Sequence, residues 1–453
     1  MAKTKVEYIC QQCGRRAPKA LGKCPQCGSW NSMVAEIADR QRPSLGTNSQ
    51  PRRLDEIEGD VEQRLPLGIG EFSRVLGGGV VPGSVILIGG DPGIGKSTLL
   101  LQMSLSLARE NKVLYISGEE SQSQIKARAK RLMRGEDFTD DLFLLTETRL
   151  ESIRNHIASI KPAAVVIDSI QTVTSDQIES GPGSISQIRE STAQLQSIAK
   201  SSAVAIFLVG HVTKEGAIAG PKVLEHIVDT VLYLEGDAFH SFRLLRSVKN
   251  RFGATSEVGV FEMQAEGMLE VNNPSEAFLS ERVPDAPGSA IAVTMEGTRP
   301  LLVELQGLTN TTAFGNPRRT ANGIDTNRML LIIAVLSRRV GLRLTDQDIF
   351  VNVVGGLRVF EPAADLAVAV AIASSMRDQP TRPELALIGE VGLSGELRSV
   401  PHIDARLNEA SSLGFRRIII PRSKKKTSFV RKNLEVIEIA SLHQALDRAL
   451  AKK

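Results

Sequence analysis

This chain of 453 residues has few aromatic residues, no long apolar run and no strong net charge of either sign. Aromatics make up only 4% of it, and the longest apolar runs, such as 203–209 and 329–336, are far too short to span a membrane. The opening residues lead into no apolar segment, so we expect no secretory signal and no membrane partner. A net charge of +4 neither requires nor excludes a polyanionic partner. We expect a cytoplasmic protein of two or three domains.

Cysteine is also rare, and its few copies are clustered. The pairs Cys10/Cys13 and Cys24/Cys27 each have the spacing Cys-x-x-Cys and are each followed by glycine. Four thiolates at this spacing are typical of a structural Zn²⁺ site. Disulfides and a redox dithiol are the alternatives, but a cytoplasmic protein disfavours disulfides, and no βαβ pattern surrounds the pairs. We predict a zinc ribbon over residues 1–35.

Basic residues lie between the two cysteine pairs. They are either solvated or in contact with a phosphate backbone or a partner. These residues are Arg15, Arg16, Lys19 and Lys23.

A glycine-rich segment carries the clearest chemical signal. Residues 90–97 read Gly-x-x-x-x-Gly-Lys-Ser, after an apolar β-branched run and before leucines at helical spacing. Glycines let backbone N–H groups point at phosphate oxygens, and the helix N-terminus adds partial positive charge. Lys96 is expected to reach the β- and γ-phosphates of a nucleoside triphosphate, and Ser97 to bind Mg²⁺. The predicted nucleotide-binding residues are Gly90, Asp91, Pro92, Gly93, Ile94, Gly95, Lys96, Ser97 and Thr98.

Acidic residues follow two further predicted strands. Strands and helices alternate from about residue 85 to 210, which predicts a largely parallel sheet, and antiparallel strands are expected over 230–271. Asp168 ends an apolar run, the position of a second Mg²⁺-side carboxylate in phosphate-loop ATPases. Glu119 and Glu120 could position or deprotonate water. They could also form an acidic N-cap turn that the helix dipole favours, and both roles could hold at once.

A histidine and two loops follow the remaining strand ends. His211 could sense the γ-phosphate and is included among the nucleotide-binding candidates, although a hydrogen-bonded histidine at the core edge is the alternative. The loops 174–185 and 214–222 leave the sheet edge at which ligands bind. They could be plain surface loops, but in ring ATPases such loops line a pore.

With these residues the chain resembles the RadA (Sms) family of bacterial DNA-repair ATPases, which is related to RecA and to replicative hexameric helicases. The resemblance covers essentially the whole chain and depends above all on Lys-Asn-Arg-Phe-Gly at 249–253, the signature of that family. It implies that Lys249 and Arg251 reach the γ-phosphate in a neighbouring subunit or help to couple ATP to DNA. An arginine supplied in trans makes hydrolysis depend on assembly.

The last third of the chain resembles the proteolytic domain of Lon, on residues 361–365 and 389–397. Lon carries its nucleophilic serine where this chain has Ala363, and its catalytic lysine lies in a segment that here ends in Arg406. Alanine has no nucleophile and arginine does not deprotonate, so we expect no proteolysis. A platform for ring assembly is the expected role. The lysine run 424–426 could contact phosphates, but a solvated face is favoured.

The resulting prediction is a multidomain protein with a zinc ribbon (1–35), a linker (36–64), a RecA-like α/β ATPase core (65–275) and an α+β Lon-like domain (284–453). The resemblance implies a DNA-dependent ATPase of helicase type that uses ATP, Mg²⁺ and Zn²⁺. It would bind single-stranded and branched DNA, promote branch migration with the RecA recombinase, and form a homo-oligomeric, hexameric ring. The alternatives are a regulatory autophosphorylating ATPase and an ATP-dependent protease.

The residues expected to act on the nucleotide come from four separate stretches. The predicted Mg²⁺ ligands are Ser97 and Asp168. The predicted catalytic residues are Lys96, Glu119, Glu120, Asp168, Lys249 and Arg251.

Overall fold

A computed structural model describes residues 6–10, 12–30, 32–37, 64–135, 137–210, 221–236, 241–280, 282–313, 315–423 and 433–451. Most of the predicted linker, His211, nearly all of the loop 214–222 and the lysine run 424–426 lie outside the described residues. The chain divides into two compact units, one of residues 1–238 and 243–270 and one of residues 239–242 and 271–453. Among the described residues, no helix is both long and apolar enough to cross a bilayer.

A small antiparallel sheet contains Cys10, and Cys13 lies in the turn between its first two strands. Its three strands are arranged in the order β2-β1-β3, and Tyr8 pairs with Ala17 on one side and with Ala35 on the other. The strands are β1 (Val6–Cys10), β2 (Arg16–Ala17) and β3 (Met33–Ile37).

A nine-stranded sheet forms the centre of the first unit. Its order is β12-β11-β10-β9-β4-β8-β7-β5-β6, with parallel pairing from β9 through β4 to β6 and antiparallel pairing between β9 and β10 and between β11 and β12. Its strands are β4 (Val85–Gly90), β5 (Val113–Ser117), β6 (Leu142–Thr146), β7 (Ala164–Asp168), β8 (Ala205–Val209), β9 (Thr230–Gly236), β10 (Phe242–Asn250), β11 (Val258–Gln264) and β12 (Gly267–Glu270).

Helices cover both faces of this sheet, so its central strands are buried along their whole length. Parallel strands covered on both faces are typically continuous apolar runs, as β4 and β8 are here. On β4, Ile86 and Ile88 face one apolar core, and Val85 and Leu87 face the other. The helices are α1 (Gly70–Leu76), α2 (Lys96–Leu107), α3 (Gln122–Leu132), α4 (Leu150–Ile160), α5 (Ile185–Ser202) and α6 (Pro221–Leu224).

The second unit contains a seven-stranded sheet in the order β15-β16-β14-β13-β17-β20-β21 and a two-stranded ribbon of β18 and β19. Its strands are β13 (Ser289–Glu296), β14 (Arg299–Thr311), β15 (Arg319–Asn322), β16 (Gln347–Val353), β17 (Leu385–Leu387), β18 (Glu390–Val391), β19 (Leu397–Arg398), β20 (Arg417–Pro421) and β21 (Glu435–Ile439). Its helices are α7 (Pro274–Leu279), α8 (Thr326–Val335), α9 (Asp365–Arg377), α10 (Ile403–Ser412) and α11 (Leu442–Ala449).

The central helix of this unit, α9, lies so close to β14 that one position requires glycine. A Cβ added to Gly307 would lie 2.9 Å from the carbonyl carbon of Ala371. Because real Cβ atoms essentially never approach backbone that closely, the absence of a side chain at Gly307 sets the distance between helix and sheet.

Candidate nucleotide site and zinc centre

The phosphate-binding segment forms a tight turn between β4 and α2. Lys96 is the first residue of α2, and its buried ammonium donates hydrogen bonds to the carbonyls of Gly90 (2.8 Å) and Asp91 (2.9 Å). Gly90 and Gly95 have φ angles of 151° and 113°, which favour glycine. A Cβ on Gly90 would also lie 2.5 Å from the carbonyl oxygen of Leu234, so the packing against β9 requires glycine as well.

The surroundings of the Lys96 ammonium are anionic. Burial lowers the pKa of Lys96, while the nearby carboxylates of Asp168, Asp91 and Glu119 act in the opposite direction. The structure therefore brings together the phosphate-loop lysine and two of the predicted strand-end acids. Ser97 is half-buried in the first turn of α2.

A tyrosine holds the carboxylate of Asp168 in place. Asp168 ends β7, and its Oδ2 accepts a hydrogen bond of 2.7 Å from the hydroxyl of Tyr115 on the adjacent strand β5. Burial, followed by the nearby Asp168 carboxylate, raises the pKa of Tyr115 well above its usual value, so the hydroxyl remains a donor at neutral pH. Our sequence analysis missed Tyr115, whose polar tip within an otherwise apolar strand was the available signal.

The two adjacent glutamates point to different partners. The Oγ of Ser117 accepts hydrogen bonds from the backbone N–H groups of Glu119 (3.4 Å) and Glu120 (3.1 Å), which fixes the turn after β5. The carboxylate of Glu119 accepts a hydrogen bond from the hydroxyl of Ser169, the residue after Asp168. The carboxylate of Glu120 forms an ion pair with Arg128 on α3. Glu119 therefore faces the strand-end site, and Glu120 faces the helix.

The N-terminus of α3 is capped by a serine and not by these glutamates. The Ser121 side chain accepts a hydrogen bond from the backbone N–H of Gln124, and the Gln124 side chain accepts one from the backbone N–H of Ser121. This reciprocal pair is a capping box. The sequence left open an acidic N-cap turn at this point, and the structure assigns the cap itself to Ser121.

The signature segment 249–253 lies at the opposite edge of the central sheet from the phosphate loop. Strand β9 runs parallel to β4, with Thr230 beside Ile86 and Leu234 beside Gly90. Strand β10 returns antiparallel and places Asn250 beside Thr230. Four residues of extended strand separate the two edges by about 13 Å. Lys249 and Arg251 are therefore remote from the phosphate loop of their own chain.

Both cations of the signature segment have partners near the start of β4. The Lys249 ammonium donates to the carbonyls of Val228 (2.8 Å) and Glu225, and burial lowers the pKa of Lys249, with a further contribution from Arg251. The Arg251 guanidinium lies 3.0 Å from Oδ1 of Asp229.

Two residues that our sequence analysis missed support this segment. The buried Asp229 binds Arg251 with one oxygen and accepts a hydrogen bond of 3.1 Å from the backbone N–H of Val85 with the other. The Arg64 guanidinium donates to the carbonyls of Leu76 (2.7 Å) and Phe252 (2.5 Å). An arginine at the end of a presumed linker gave no sequence signal for this role.

The loop 174–185 has a defined shape because one buried side chain binds its backbone. The Gln187 amide donates to the carbonyls of Ser175 (3.2 Å), Ile178 (2.8 Å) and Ser180 (3.0 Å). Its carbonyl oxygen accepts a hydrogen bond of 2.9 Å from the backbone N–H of Ser175. The loop starts six residues after Asp168, so its shape is tied to the strand-end site.

The four cysteines converge on one point. Their sulfur atoms all lie within 4.8 Å of one another, with 3.6 Å between Cys10 and Cys27 and 3.5 Å between Cys13 and Cys24. Sulfurs on a tetrahedral Zn²⁺ are about 3.8 Å apart, given Zn–S bonds of about 2.3 Å. Gly14 and Gly28 donate equivalent backbone hydrogen bonds to the carbonyls of Cys10 and Cys24, and so repeat the same turn. The donor set fits zinc.

In the second unit, the position that resembles the Lon dyad contains a buried ion pair. Ala363 is fully buried directly before α9. The fully buried guanidinium of Arg406 on α10 pairs with the carboxylate of Glu361 and donates to the carbonyls of Val293 (2.7 Å) and Pro401 (3.0 Å). Neither a hydroxyl nor a titratable amine stands at these two positions.

Comparison with known proteins agrees with this arrangement. Residues 8–35 match the rubredoxin metal binding domain family, residues 51–217 the AAA domain family, and residues 305–424 the family of subunit ChlI of Mg-chelatase. A DNA repair protein RadA from Bacillus subtilis is 54% identical over 459 residues, covering 99% of this chain and 100% of the relative. The chain belongs to the RadA family of DNA repair proteins. The RadA relative from Streptococcus pyogenes serotype M1 is 52% identical, with 99% of both chains covered.

The predicted fold class is thereby confirmed: a zinc ribbon, a RecA-like ATPase core and a further C-terminal α/β region. Among solved structures, a KaiC-like protein from Pyrococcus horikoshii OT3 is 20% identical with a TM-score of 0.38, and the match covers 46% of this chain and 99% of that one.

If Asp168 binds Mg²⁺ as the sequence predicts, replacement of Tyr115 by phenylalanine should weaken Mg²⁺ binding without unfolding the ATPase core. The variant keeps the buried ring but removes the hydrogen bond that orients Asp168, and loss of such an outer partner typically costs about 10- to 100-fold in metal affinity. The Mg²⁺ concentration for half-maximal ATP hydrolysis should rise accordingly. Tyr233→Phe, a half-buried tyrosine on β9, is the control. If the hydrolysis rate of Tyr115→Phe depended on Mg²⁺ concentration as that of the wild type does, Tyr115 would not orient Asp168 for Mg²⁺ binding.

Proposed function

We propose that this RadA-family ATPase is a DNA-dependent motor of helicase type that hydrolyses ATP between neighbouring subunits of a ring. One observation carries the proposal: Lys249 and Arg251 lie at the sheet edge opposite the phosphate loop. Cations so placed can complete a nucleotide site only if it belongs to another subunit. An arginine supplied in trans stabilises the charge of the transferring phosphoryl group.

The residues of the phosphate loop have separate roles in this proposal. Backbone N–H groups within residues 90–98, other than Pro92, which has none, hold the phosphates of ATP, and Lys96 exchanges its two carbonyl partners for phosphate oxygens. Ser97 and Asp168 hold Mg²⁺, with Tyr115 fixing the orientation of Asp168. When bound, Mg²⁺ neutralises charge on the phosphates.

We assign activation of the attacking water to Glu119. Its carboxylate lies beside Ser169 and close enough to Lys96 to affect the pKa of that lysine. The carboxylate of Glu120 is already engaged by Arg128. Arg128 holds the Glu120 carboxylate toward α3, so Glu119 is the glutamate placed to reach water at the strand-end site.

The loop 174–185 is the proposed DNA-facing element of the core. It follows the strand that ends in Asp168, and Gln187 holds it in one shape. The loop contains Asp176 and Glu179 but no lysine or arginine. Its contacts with DNA would therefore come from backbone N–H groups and small polar side chains, which bind phosphates without reading sequence.

The wider role follows from the same proposal. A ring motor that loads on single-stranded DNA could promote branch migration of recombination intermediates together with the RecA recombinase. A regulatory autophosphorylating ATPase is the second candidate, because the resemblance extends to clock-type ATPases with paired glutamates after a strand. Transfer of a radiolabelled γ-phosphate to the protein would favour that candidate.

The first test is the response of ATP hydrolysis to DNA. We expect single-stranded DNA to raise the rate of the wild-type chain several-fold and to leave Lys96→Ala inactive, since Lys96 provides the cation for the β- and γ-phosphates. Steady-state phosphate release with and without DNA gives the answer. If DNA does not change the hydrolysis rate of well-folded wild-type protein, the proposal of a DNA-dependent motor is wrong.

Mixing two inactive variants tests whether Arg251 acts in trans. Lys96→Ala and Arg251→Ala should each lose nearly all activity, but an equimolar mixture should recover up to about a quarter of the wild-type rate, because some interfaces combine an intact Lys96 with an intact Arg251. Arg416→Ala, which removes an exposed arginine paired with Glu384, is the control. Activity that stays at the sum of the two variants alone would show that Arg251 does not act across an interface.

The two glutamates should respond differently to substitution. Glu119→Gln should lower the hydrolysis rate by about 100-fold or more, the usual contribution of a general base, with nucleotide affinity unchanged. Glu120→Gln should lower the rate by less than about tenfold, since a glutamine can still accept a hydrogen bond from Arg128. Single-turnover hydrolysis and titration with a fluorescent ATP analogue separate the two effects. If Glu120→Gln lowers the rate more than Glu119→Gln does, Glu120 and not Glu119 activates the attacking water.

A further inference from the structure

The zinc ribbon exposes an aromatic ring and a cation that the nucleotide site does not use. Trp30 is the only tryptophan in the chain and is 72% exposed. The Lys23 ammonium lies 5.5 Å from the centroid of its ring, within the range of a cation–π interaction. Leu21 and Val34 of the same ribbon are exposed as well, at 39% each, and Trp30 is the largest and the most open of these three apolar side chains.

The metal site fixes the position of this ring. Lys23 and Trp30 form an antiparallel bridge on either side of the second cysteine pair. Within that turn, the backbone N–H of Cys24 donates to Ser29 (2.8 Å) and that of Gly28 donates to Cys24 (2.9 Å). Side chains on such a closed turn lose little conformational freedom on binding, which favours affinity.

The ribbon also has the charge that a polyanion requires. Residues 10–30, which contain both cysteine turns, have four basic residues and no acidic residue, whereas Glu7 and Glu36 lie on strands β1 and β3. A Zn²⁺ ion with four thiolates has two negative charges, so the segment remains positive by about two charges. The loop 174–185 is the opposite case, with two acidic residues, no basic residue and no aromatic ring. The ribbon therefore has both features that this loop lacks for holding DNA.

We propose that Trp30 and Lys23 form a stacking platform for single-stranded DNA, an inference that deepens the proposed DNA motor and rests on it. A base stacks on the indole, and Lys23 moves to an adjacent phosphate. Stacking suits a motor that must accept any sequence, because every base has a π-face. In this proposal the ribbon binds single-stranded DNA by stacking and by charge, while the loop 174–185 of the core contacts the phosphate backbone of the DNA.

The single tryptophan gives a direct experiment on the full-length wild-type chain. Titration with oligothymidylate should quench the tryptophan fluorescence in step with the anisotropy of the labelled oligonucleotide. Trp30→Ala should weaken binding by about 5- to 150-fold, whereas Trp30→Phe should retain most of the affinity. Lys23→Gln should reduce the slope of log affinity against log salt by about 0.7, the loss of one phosphate contact.

Two controls keep the result interpretable. Zinc content measured for each variant shows that the ribbon is intact. Phe360→Ala removes another exposed aromatic ring, 74% accessible and outside the ribbon, and should not change the affinity. Unchanged fluorescence at saturating DNA, or unchanged affinity in Trp30→Ala, overturns the platform. A fluorescence response to the RecA recombinase but not to DNA overturns it too, in favour of a protein-binding ribbon.

The same preparations distinguish this failure from failure of the proposed function. If DNA stimulates hydrolysis by the wild type but bound DNA does not change the fluorescence of Trp30, the proposed motor function is retained and the stacking platform is rejected. Binding and fluorescence are measured without ATP turnover, so they decide on the platform even if hydrolysis ignores DNA.

Discussion

Parallel pairing of β4 with β8 and β9 is the constraint on which the rest of the ATPase core depends. Parallel strands place all of their carboxyl ends at one edge, so the phosphate loop, Asp168 and the turn after β5 meet there. The antiparallel return along β10 sends the signature segment to the other edge. One sheet therefore places the phosphate loop and the two cations that we propose to act in trans on opposite edges.

Buried polar groups hold each half in shape. At the phosphate-loop edge, Tyr115 orients Asp168, and Ser117 fixes the turn that separates the two glutamates. At the other edge, Asp229 connects Arg251 to the backbone of β4. Each group is satisfied by specific partners, and removal of one partner would leave a buried donor or acceptor unpaired, at a cost of about 1–3 kcal/mol. These contacts fix the positions of the side chains to which we assign roles in hydrolysis.

Local patterns were sufficient to predict the alternation of strands and helices in the ATPase core. Alternating strands and helices over 85–210 predict the parallel part of the central sheet, and the antiparallel pairs β9–β10 and β11–β12 lie within the expected span 230–271. The cysteine spacing predicted the cluster of four sulfurs, and the glycine-rich segment forms the expected turn between a strand and a helix, because short-range geometry dictates both. Tertiary contacts could not be predicted in this way. Arg64 reaches Phe252 across 188 positions, and nothing near Arg64 in the sequence indicates that partner.

The single amide that shapes the loop after Asp168 has a consequence for how the family can vary. The side-chain amide of Gln187 binds only backbone atoms of that loop, at Ser175, Ile178 and Ser180. It therefore places no demand on the identity of the side chains that the loop carries. Substitutions of exposed side chains can therefore change what the loop binds without changing its backbone conformation. Relatives can differ in the binding partners of this loop while they keep the same fold around it.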